Sequence, residues 1–312
     1  MALQRHKPTR TSIELFTVKD HAGQRLDNFM FVKFKNVPKS KIYNVIRKGE
    51  VRVNKKRINP SYKLRLGDII RLPPFIIENK PTFKPKASAI ADLEQRIIYE
   101  DQNLLALNKP AGMASHGGSG INFGVIETLR AASTRPYLEL VHRLDRETSG
   151  CLLLAKKRSI LKYLHELLRK GEIIKKYLVL VKGHWPKKRT IDLPLLKNQI
   201  SSGERIVRVN EAGKKALSTF YPQQCFANCT LLEVELHTGR THQIRVHSAA
   251  LGHPVAGDDK YGDKDFNSSL KIIGLKRMFL HASSISFYLS TGQKLEIKAE
   301  LPNELSEMLK QL

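Results

Sequence analysis

Residues 141–157, VHRLDRETSGCLLLAKK, constrain the fold of this 312-residue chain more than any other stretch. An apolar–polar run leads to Asp145, which opens a segment of polar and small residues, and a continuous apolar run begins at Cys151. This succession predicts a strand, an exposed polar loop and a buried strand. Asp145 is therefore expected at the edge of a sheet, with Arg143 and Arg146 beside it. A lone Asp in a loop is more often a turn residue than a functional group, so this stretch does not by itself predict a reaction.

The charge of the chain indicates a polyanionic partner. Lys and Arg number 54 against 29 Asp and Glu, which gives a formal net charge of +25. Such an excess is typical of proteins that bind nucleic acid or an anionic membrane surface. The sequence has no apolar run long enough to span a membrane, no signal-peptide core follows Met1, and the three cysteines form no even disulfide set. We therefore expect a cytoplasmic protein that does not associate with a membrane.

The pattern of the chain divides it into two domains. Residues 1–12 are basic and polar and are predicted to form a disordered tail. Two amphipathic helices followed by short strands are predicted over residues 13–74, where helical periodicity gives way to alternation. Residues 75–95 contain several prolines and little periodicity, which predicts a linker. A larger domain is expected over residues 96–312.

The first of these domains carries about half of the excess charge, because residues 1–75 hold 18 Lys and Arg against five Asp and Glu. The motifs RLD, PKSKI…IRKGEVRVN and YKLRLGDII resemble the S4 RNA-binding domain. The resemblance implies that both helices and the following loop lie on structured RNA. The phosphate contacts that it implies are Lys39, Lys41, Arg47, Lys48 and Arg52. Because phosphate contacts carry no base information, we expect this domain to supply affinity more than specificity; a solvated basic face is the alternative.

Three further motifs lie in the larger domain. NKPAGMASHGGSG, residues 108–120, breaks every regular pattern, yet it lacks the phosphate-loop and dinucleotide-binding signatures. In IIKKYLVLVKGHW, which reads as a long strand, Tyr177 interrupts an aliphatic alternation. HTGRTHQIRVH, residues 237–247, reads as a surface strand that enters a helix, and its cationic groups are costly there unless an anion meets them.

NKPAGMASH, VHRLDRETSGCLLLAKK, KKYLVLV and TGRTHQIRVH occur in the order and spacing of the RluA family of pseudouridine synthases, which the chain resembles from about Ile13 onward. The resemblance implies conversion of selected uridines to pseudouridine with no cofactor and no metal. Its S4 domain, HGGSG and LLKN…SGERIVRV are most similar to members that act on the 23S ribosomal RNA of the large subunit. The implied fold is α+β, with a small S4 domain before a mixed, mostly antiparallel central sheet flanked by helices. We expect a monomer.

The same resemblance assigns roles to individual residues. Asp145 would be the essential aspartate, Tyr177 would pack on the target base, and Arg245 would be the basic partner of the aspartate. Further RNA contacts are expected at Arg143, which would reach in near the extruded nucleotide, and at Arg146, His116, Arg240 and His242.

Elementary chemistry agrees with these roles. Isomerising uridine requires breaking the C1′–N1 bond, turning the uracil and joining C5 to C1′. A carboxylate can serve as nucleophile or as proton acceptor at the sugar, and both routes need it ionised. Burial would raise the pKa of such a carboxyl, and a guanidinium bonded to it would lower the pKa again. The sequence does not distinguish between the two routes.

Other functions stay open from the sequence alone. The chain could be an RNA-binding ribosome assembly factor with an inactive synthase domain, or a synthase for another structured RNA. A metal-dependent nuclease could combine the carboxylates of Asp145, Asp258 and Asp259 with His242 or His253, and it would show divalent-metal dependence. The residues at positions 145, 177 and 245 favour the synthase.

Overall fold

A computed structural model describes residues 9–10, 12–34, 37–77, 85–118, 123–132, 135–199 and 205–312. The chain forms two compact units, Met1–Phe83 and Lys84–Leu312. No helix of the described residues is both long and apolar enough to cross a membrane.

The N-terminal unit combines two helices with short strands. Its elements are β1 (Thr9–Arg10), β2 (Glu14–Thr17), α1 (Leu26–Lys33), α2 (Lys39–Arg47), β3 (Arg52–Val53), β4 (Ile69–Leu72) and β5 (Ile76–Ile77). Strands β2, β4 and β3 form an antiparallel sheet in that order, and β1 pairs with β5. Helix α2 buries Ile42, Val45 and Ile46 against this sheet's core and leaves its basic residues exposed.

Two predicted boundaries in this part of the chain were wrong. Thr9–Arg10, predicted as disordered tail, and Ile76–Ile77, predicted as linker, pair with each other as strands. A two-residue strand has no periodicity, so its partner 66 positions away decides its structure and the sequence pattern does not show it. Of the other tail residues, 1–8 and 11 lie outside the described residues.

The C-terminal unit is built on one large sheet. Its elements are α3 (Ala87–Gln95), β6 (Ile97–Glu100), β7 (Leu104–Lys109), α4 (Val125–Ala131), β8 (Glu139–Leu140), β9 (Ser149–Ala155), α5 (Arg158–Lys170), β10 (Ile174–Lys182), β11 (Arg189–Asp192), β12 (Leu195–Gln199), β13 (Arg205–Val209), β14 (Leu217–Cys225), β15 (Cys229–Leu236), α6 (Gln243–Ala250), α7 (Lys264–Ile272), β16 (Leu280–Tyr288), β17 (Lys294–Lys298) and α8 (Asn303–Leu309). The sheet order is β11–β14–β15–β10–β16–β9–β7–β6, with β17 on β16 and β8 on β9.

The pairing of this sheet confirms the predicted mixed, mostly antiparallel architecture. Strands β16 and β9 run parallel, whereas the other pairs of this sheet are antiparallel. Every residue of β9 is buried. Leu152 and Leu154 enter the core on one face of the sheet, and Leu153 enters the core on the other face together with Leu164 of α5. Covering on both faces explains why the sequence of β9 is continuously apolar.

The predicted linker, residues 75–95, was also wrong at its C-terminal end. Residues 87–95 form α3, and Leu93 of this helix is buried in the core of the C-terminal unit. Arg135 binds Glu94 at the end of the helix, with a distance of 2.7 Å between its Nη1 and the carboxylate. A nine-residue helix with a single buried apolar residue has too short a stripe to be predicted by periodicity.

Candidate active site

The loop that carries Asp145 joins β8 to β9 and is fixed at both ends. The Thr148 amide donates to the Asp145 carbonyl at 3.2 Å, and the Ser115 hydroxyl contacts both the carbonyl and the amide of Leu144, at 2.8 Å and 3.0 Å. Gly150 follows the loop with φ +110, and a Cβ there would lie 2.2 Å from the carbonyl oxygen of Ala282. Only glycine permits this approach of β9 to β16, so the loop leaves the sheet at a defined point.

Lys109 connects this loop to the NKPAGM segment and was missed by sequence reasoning. Its side chain is fully buried, and Nζ donates to the carbonyl oxygens of Pro110, Met113 and Arg146, at 2.8 Å, 2.7 Å and 3.1 Å. Burial lowers the pKa of Lys109 to about 7. In its ammonium form, Lys109 donates three hydrogen bonds, and one of them holds the backbone of Arg146, the residue after Asp145. The only signal in the sequence was a Lys at the end of an apolar strand.

A cavity of about 100 Å³ lies beside this loop. Asp145, Tyr177 and Arg245, which come from three distant segments, all line it. The predicted RNA contacts that also line it are Arg143, Arg240 and His242. A volume this far below the 300 Å³ or more of typical ligand pockets suits a single small ring and not a whole nucleotide.

Tyr177 forms one wall of the cavity from strand β10. Its side chain is 7% exposed and belongs to the main core of the unit. Burial and then the nearby charge of Asp145 raise the pKa of Tyr177 well above its ordinary value. The wall is therefore a neutral aromatic surface against which a planar group can pack.

The partner of Arg245 differs from the prediction. Its guanidinium does not bind Asp145; it forms two hydrogen bonds to the carboxylate of Asp258, from Nε at 2.6 Å and from Nη2 at 2.7 Å. The residue lies on α6 and not on a strand, so its side chain is directed toward the turn at residues 257–261. Asp258 also accepts from the backbone amides of Lys260 and Tyr261, so all its acceptors are engaged.

The Arg245–Asp258 pair is buried on both sides, with 10% and 0% of the two side chains exposed. Desolvation alone would lower the pKa of Arg245, but the hydrogen bonds and charge of Asp258 outweigh it and raise that pKa. For Asp258 burial works toward a higher pKa, and Arg245 reverses this effect and lowers the pKa below its usual value. Both groups are charged, and Asp145 lies close enough to Arg245 to add to its stabilisation.

His242, predicted as an RNA contact, faces the carboxylate of Asp145. Its Nε2 lies 3.9 Å from Asp145 Oδ2, and its Nδ1 lies 2.8 Å from the Tyr261 hydroxyl. Burial lowers the pKa of His242, so the ring is neutral and the contact is not an ion pair. The Val207 amide donates to the same hydroxyl at 3.0 Å. Tyr261 thereby connects strand β13 to the residue that faces Asp145.

The other predicted contacts of this unit lie at the surface. Arg146 donates to the Gly112 carbonyl at 2.9 Å, and Arg240 donates to the Lys215 carbonyl at 2.9 Å. Arg143 and His116 are exposed. Of these four residues, Arg143 and Arg240 line the cavity, whereas Arg146 and His116 do not.

The basic residues of the N-terminal unit are placed as a group on α2 and β3. All five predicted phosphate contacts are exposed: Lys39, Lys41, Arg47, Lys48 and Arg52. Two of them donate hydrogen bonds to neutral groups: Arg47 to the Asn44 side chain at 2.6 Å and Arg52 to the Gly49 carbonyl at 3.2 Å. Their charges therefore stay available to an outside anion.

The residues proposed for a metal-dependent nuclease do not converge. Asp258 is occupied by Arg245, and His253 packs against Trp185 with its Nδ1 at 2.8 Å from the Lys182 carbonyl. Within the described ranges, no group of three or more His, Cys, Asp or Glu side chains is arranged to hold a metal ion.

Comparison with known proteins agrees with this geometry. A family model described as RNA pseudouridylate synthase matches residues 103–250, and a model of the S4 domain matches residues 24–70. The chain is 50% identical over 318 residues to the ribosomal large subunit pseudouridine synthase C of Haemophilus influenzae, covering 100% of this chain and 99% of that protein. It is 51% identical over 311 residues to the protein of the same name from Pasteurella multocida, covering 97% and 95% of the two chains.

Among solved structures, the human RNA pseudouridylate synthase domain containing 4 is similar at a TM-score of 0.60 and 26% identity, covering 72% of this chain and 95% of that one. The two relatives match almost end to end. The chain therefore belongs to the RNA pseudouridine synthase family and is an RNA pseudouridine synthase that carries an S4 domain.

Proposed function

We propose that this enzyme isomerises specific uridines of the 23S RNA of the large ribosomal subunit, with Asp145 as the essential carboxylate. The observation that carries the proposal is that Asp145, Tyr177 and Arg245 line one small cavity. The names of the relatives, which refer to the large ribosomal subunit, support the substrate. The cavity holds one ring, so the target base has to leave its stack, at a cost of a few kcal/mol.

Within the cavity, Tyr177 offers its buried face to the extruded uracil. Stacking on an aromatic ring is worth about 1–3 kcal/mol per base, which offsets part of the unstacking cost. Arg143 is exposed and lines the cavity, which supports a role in occupying the space that the base vacates. The Asp145 carboxylate then acts on the sugar, either as nucleophile at C1′ or as acceptor of a proton from the carbon next to C1′.

His242 and Tyr261 orient Asp145 for this step. Because the Val207 amide donates to the Tyr261 oxygen, the hydroxyl proton is free to point at His242 Nδ1. This arrangement leaves the ring proton on Nε2, which faces Asp145 Oδ2 at 3.9 Å and comes within hydrogen-bond distance after a shift of about 1 Å. Arg245, held charged by Asp258, adds a fixed positive potential behind the cavity.

The N-terminal unit contributes affinity. Its exposed basic residues on α2 and β3 form no ion pair with a carboxylate of the described residues. Their charges are therefore available for contacts to phosphates. Such contacts are independent of sequence, so uridine selection rests with the C-terminal unit.

The test uses purified protein with two unmodified transcripts, one of large-subunit and one of small-subunit ribosomal RNA, followed by mapping of pseudouridine. We expect pseudouridine at a few discrete positions of the large-subunit transcript and none in the control transcript. Pseudouridine in both would contradict the substrate assignment and favour other structured RNA. Tight binding without pseudouridine in either would contradict catalysis and favour an assembly factor.

A further inference from the structure

Lys175 lies on the same side of the sheet as the wall of the cavity. It precedes Tyr177 by two residues on β10. The register with β16 shifts between Lys176 and Tyr177, but the extra residue lies on β16, so β10 keeps its alternation and both side chains project to one face. A Cβ at Gly239, which lines the cavity, would lie 3.8 Å from Lys175 Nζ. The amine therefore stands at the mouth of the cavity, beside the segment that leads to Arg240.

A second segment lies close enough to the amine to feel its charge. The charge of Lys175, after burial, contributes to lowering the pKa of His142 to about 4, and His142 directly precedes Arg143. The His142 ring is neutral because its Nε2 accepts a hydrogen bond from the Leu153 amide at 3.1 Å. The exposed residues Arg143 and Arg240 directly follow His142 and Gly239 in the chain, and both line the cavity together with Gly239.

Within the described part of the chain, Lys175 Nζ has no acceptor. Desolvation lowers the pKa of this amine. Two lysines of the same unit show the usual solutions: Lys109 donates to three carbonyls, and Lys176 pairs with Glu233 at 2.8 Å on the other face of the sheet. A partly desolvated ammonium group without a partner is costly, so an anion that arrives with the substrate would relieve the cost.

We propose that Lys175, together with Arg143 and Arg240, binds a backbone phosphodiester of the RNA next to the nucleotide that enters the cavity. The inference rests on the proposed function only in naming RNA as the source of the anion. A lysine suits this role as a point charge for a phosphate. Holding the backbone on one side of the extruded base would keep the sugar aligned with Asp145.

The test measures the affinity of full-length protein for a fragment of large-subunit ribosomal RNA over a series of salt concentrations. Lys175→Met removes the charge, Lys175→Arg keeps it, and Lys176→Met removes an equal charge one position away on the opposite face. We expect Lys175→Met to reduce the slope of log K against log salt by about 0.7–0.9, the amount for one phosphate. The Lys175→Arg and Lys176→Met variants should keep the wild-type slope. Thermal unfolding followed at Trp185 checks the fold, and Lys175→Gln replaces the Met variant if that variant unfolds.

Two results would overturn the proposal. One is a salt slope that is the same for Lys175→Met and wild type. The other combines two observations: inorganic phosphate stabilises wild type but not Lys175→Met, and the salt slope for RNA is unchanged by the substitution. That result would assign the site to a free anion. These measurements follow RNA binding and do not depend on catalysis. If the proposed function failed and this inference held, no pseudouridine would form, but the salt slopes of wild type and Lys175→Met would still differ.

Discussion

The buried pair of Arg245 and Asp258 gives the sharpest prediction about stability. Asp258→Asn keeps the shape of the side chain and removes its charge, which leaves the guanidinium of Arg245 buried without the carboxylate that is hydrogen-bonded to it. Because the two side chains are only 10% and 0% exposed, solvent cannot replace the lost partner. Removing one member of a buried pair costs about 3–5 kcal/mol of unfolding free energy. In a unit of this size the melting temperature should fall by about 2–4 °C for each kcal/mol.

The chain offers both a local probe and a matched control. Trp185, the single tryptophan, is buried in the core of the C-terminal unit, so its fluorescence reports unfolding of that unit alone. Asp92 forms the same two-bond pair with Arg96, at 3.0 Å for each bond, but both side chains are about half exposed. Asp92→Asn should therefore cost no more than about 1 kcal/mol.

The effect of Asp258→Asn should also depend on pH. Since the folded-state pKa of Asp258 lies below its unfolded value, the carboxylate contributes stability above the unfolded pKa, and this stability is lost as the pH falls through the folded pKa. The difference between wild type and variant should be full at neutral pH and shrink in acid. Equal costs for Asp258→Asn and Asp92→Asn at neutral pH would refute the reasoning.

Three further predictions concern the cavity and its supports. Tyr177→Phe should keep turnover within about tenfold of wild type. Tyr177→Ala should lose about 1–3 kcal/mol of stacking energy, which single-turnover kinetics would detect. Full activity of the Ala variant would contradict stacking of Tyr177 on the target base. Tyr261→Phe should lower the rate about tenfold and leave RNA affinity unchanged, because it frees the ring of His242; an unchanged rate would argue against that role. Gly150→Ala should lower the unfolding free energy of the C-terminal unit by about 1–3 kcal/mol or more, because its Cβ would meet a backbone oxygen. Denaturation followed by Trp185 fluorescence measures this loss, and wild-type stability would disprove the clash.

Much of the architecture could be predicted from sequence because the decisive signals are local. The polar segment after Leu144 and the apolar run from Cys151 placed Asp145 at a sheet edge, directly before the buried strand β9. Gly171 ends α5 with φ +76, the conformation for which glycine is common at the end of a helix. Burial of β9 on both faces leaves a continuous apolar run that no exposed element would carry.

The errors share a physical cause, which is dependence on distant partners. Helix α3 and strands β1 and β5 are too short to have a period, and residues far along the chain stabilise them. The predicted pairing of Arg245 with Asp145 was wrong for the same reason. Both Asp145 and Asp258 lie near the guanidinium, and only the three-dimensional placement of the turn after α6 selects Asp258. Lys109 was missed because its role depends on its burial and on the distant carbonyl of Arg146, neither of which the sequence pattern shows.

The central claim is that the ionised carboxylate of Asp145 performs the isomerisation in the cavity. The most direct measurement compares wild type and Asp145→Asn for pseudouridine formation on large-subunit RNA and, in parallel, for equilibrium RNA binding. The amide keeps the shape of the side chain and cannot act as nucleophile or as base, so we expect no detectable product and an affinity within a few-fold of wild type. Turnover of Asp145→Asn near the wild-type rate, with deamidation excluded by mass spectrometry, would contradict the account.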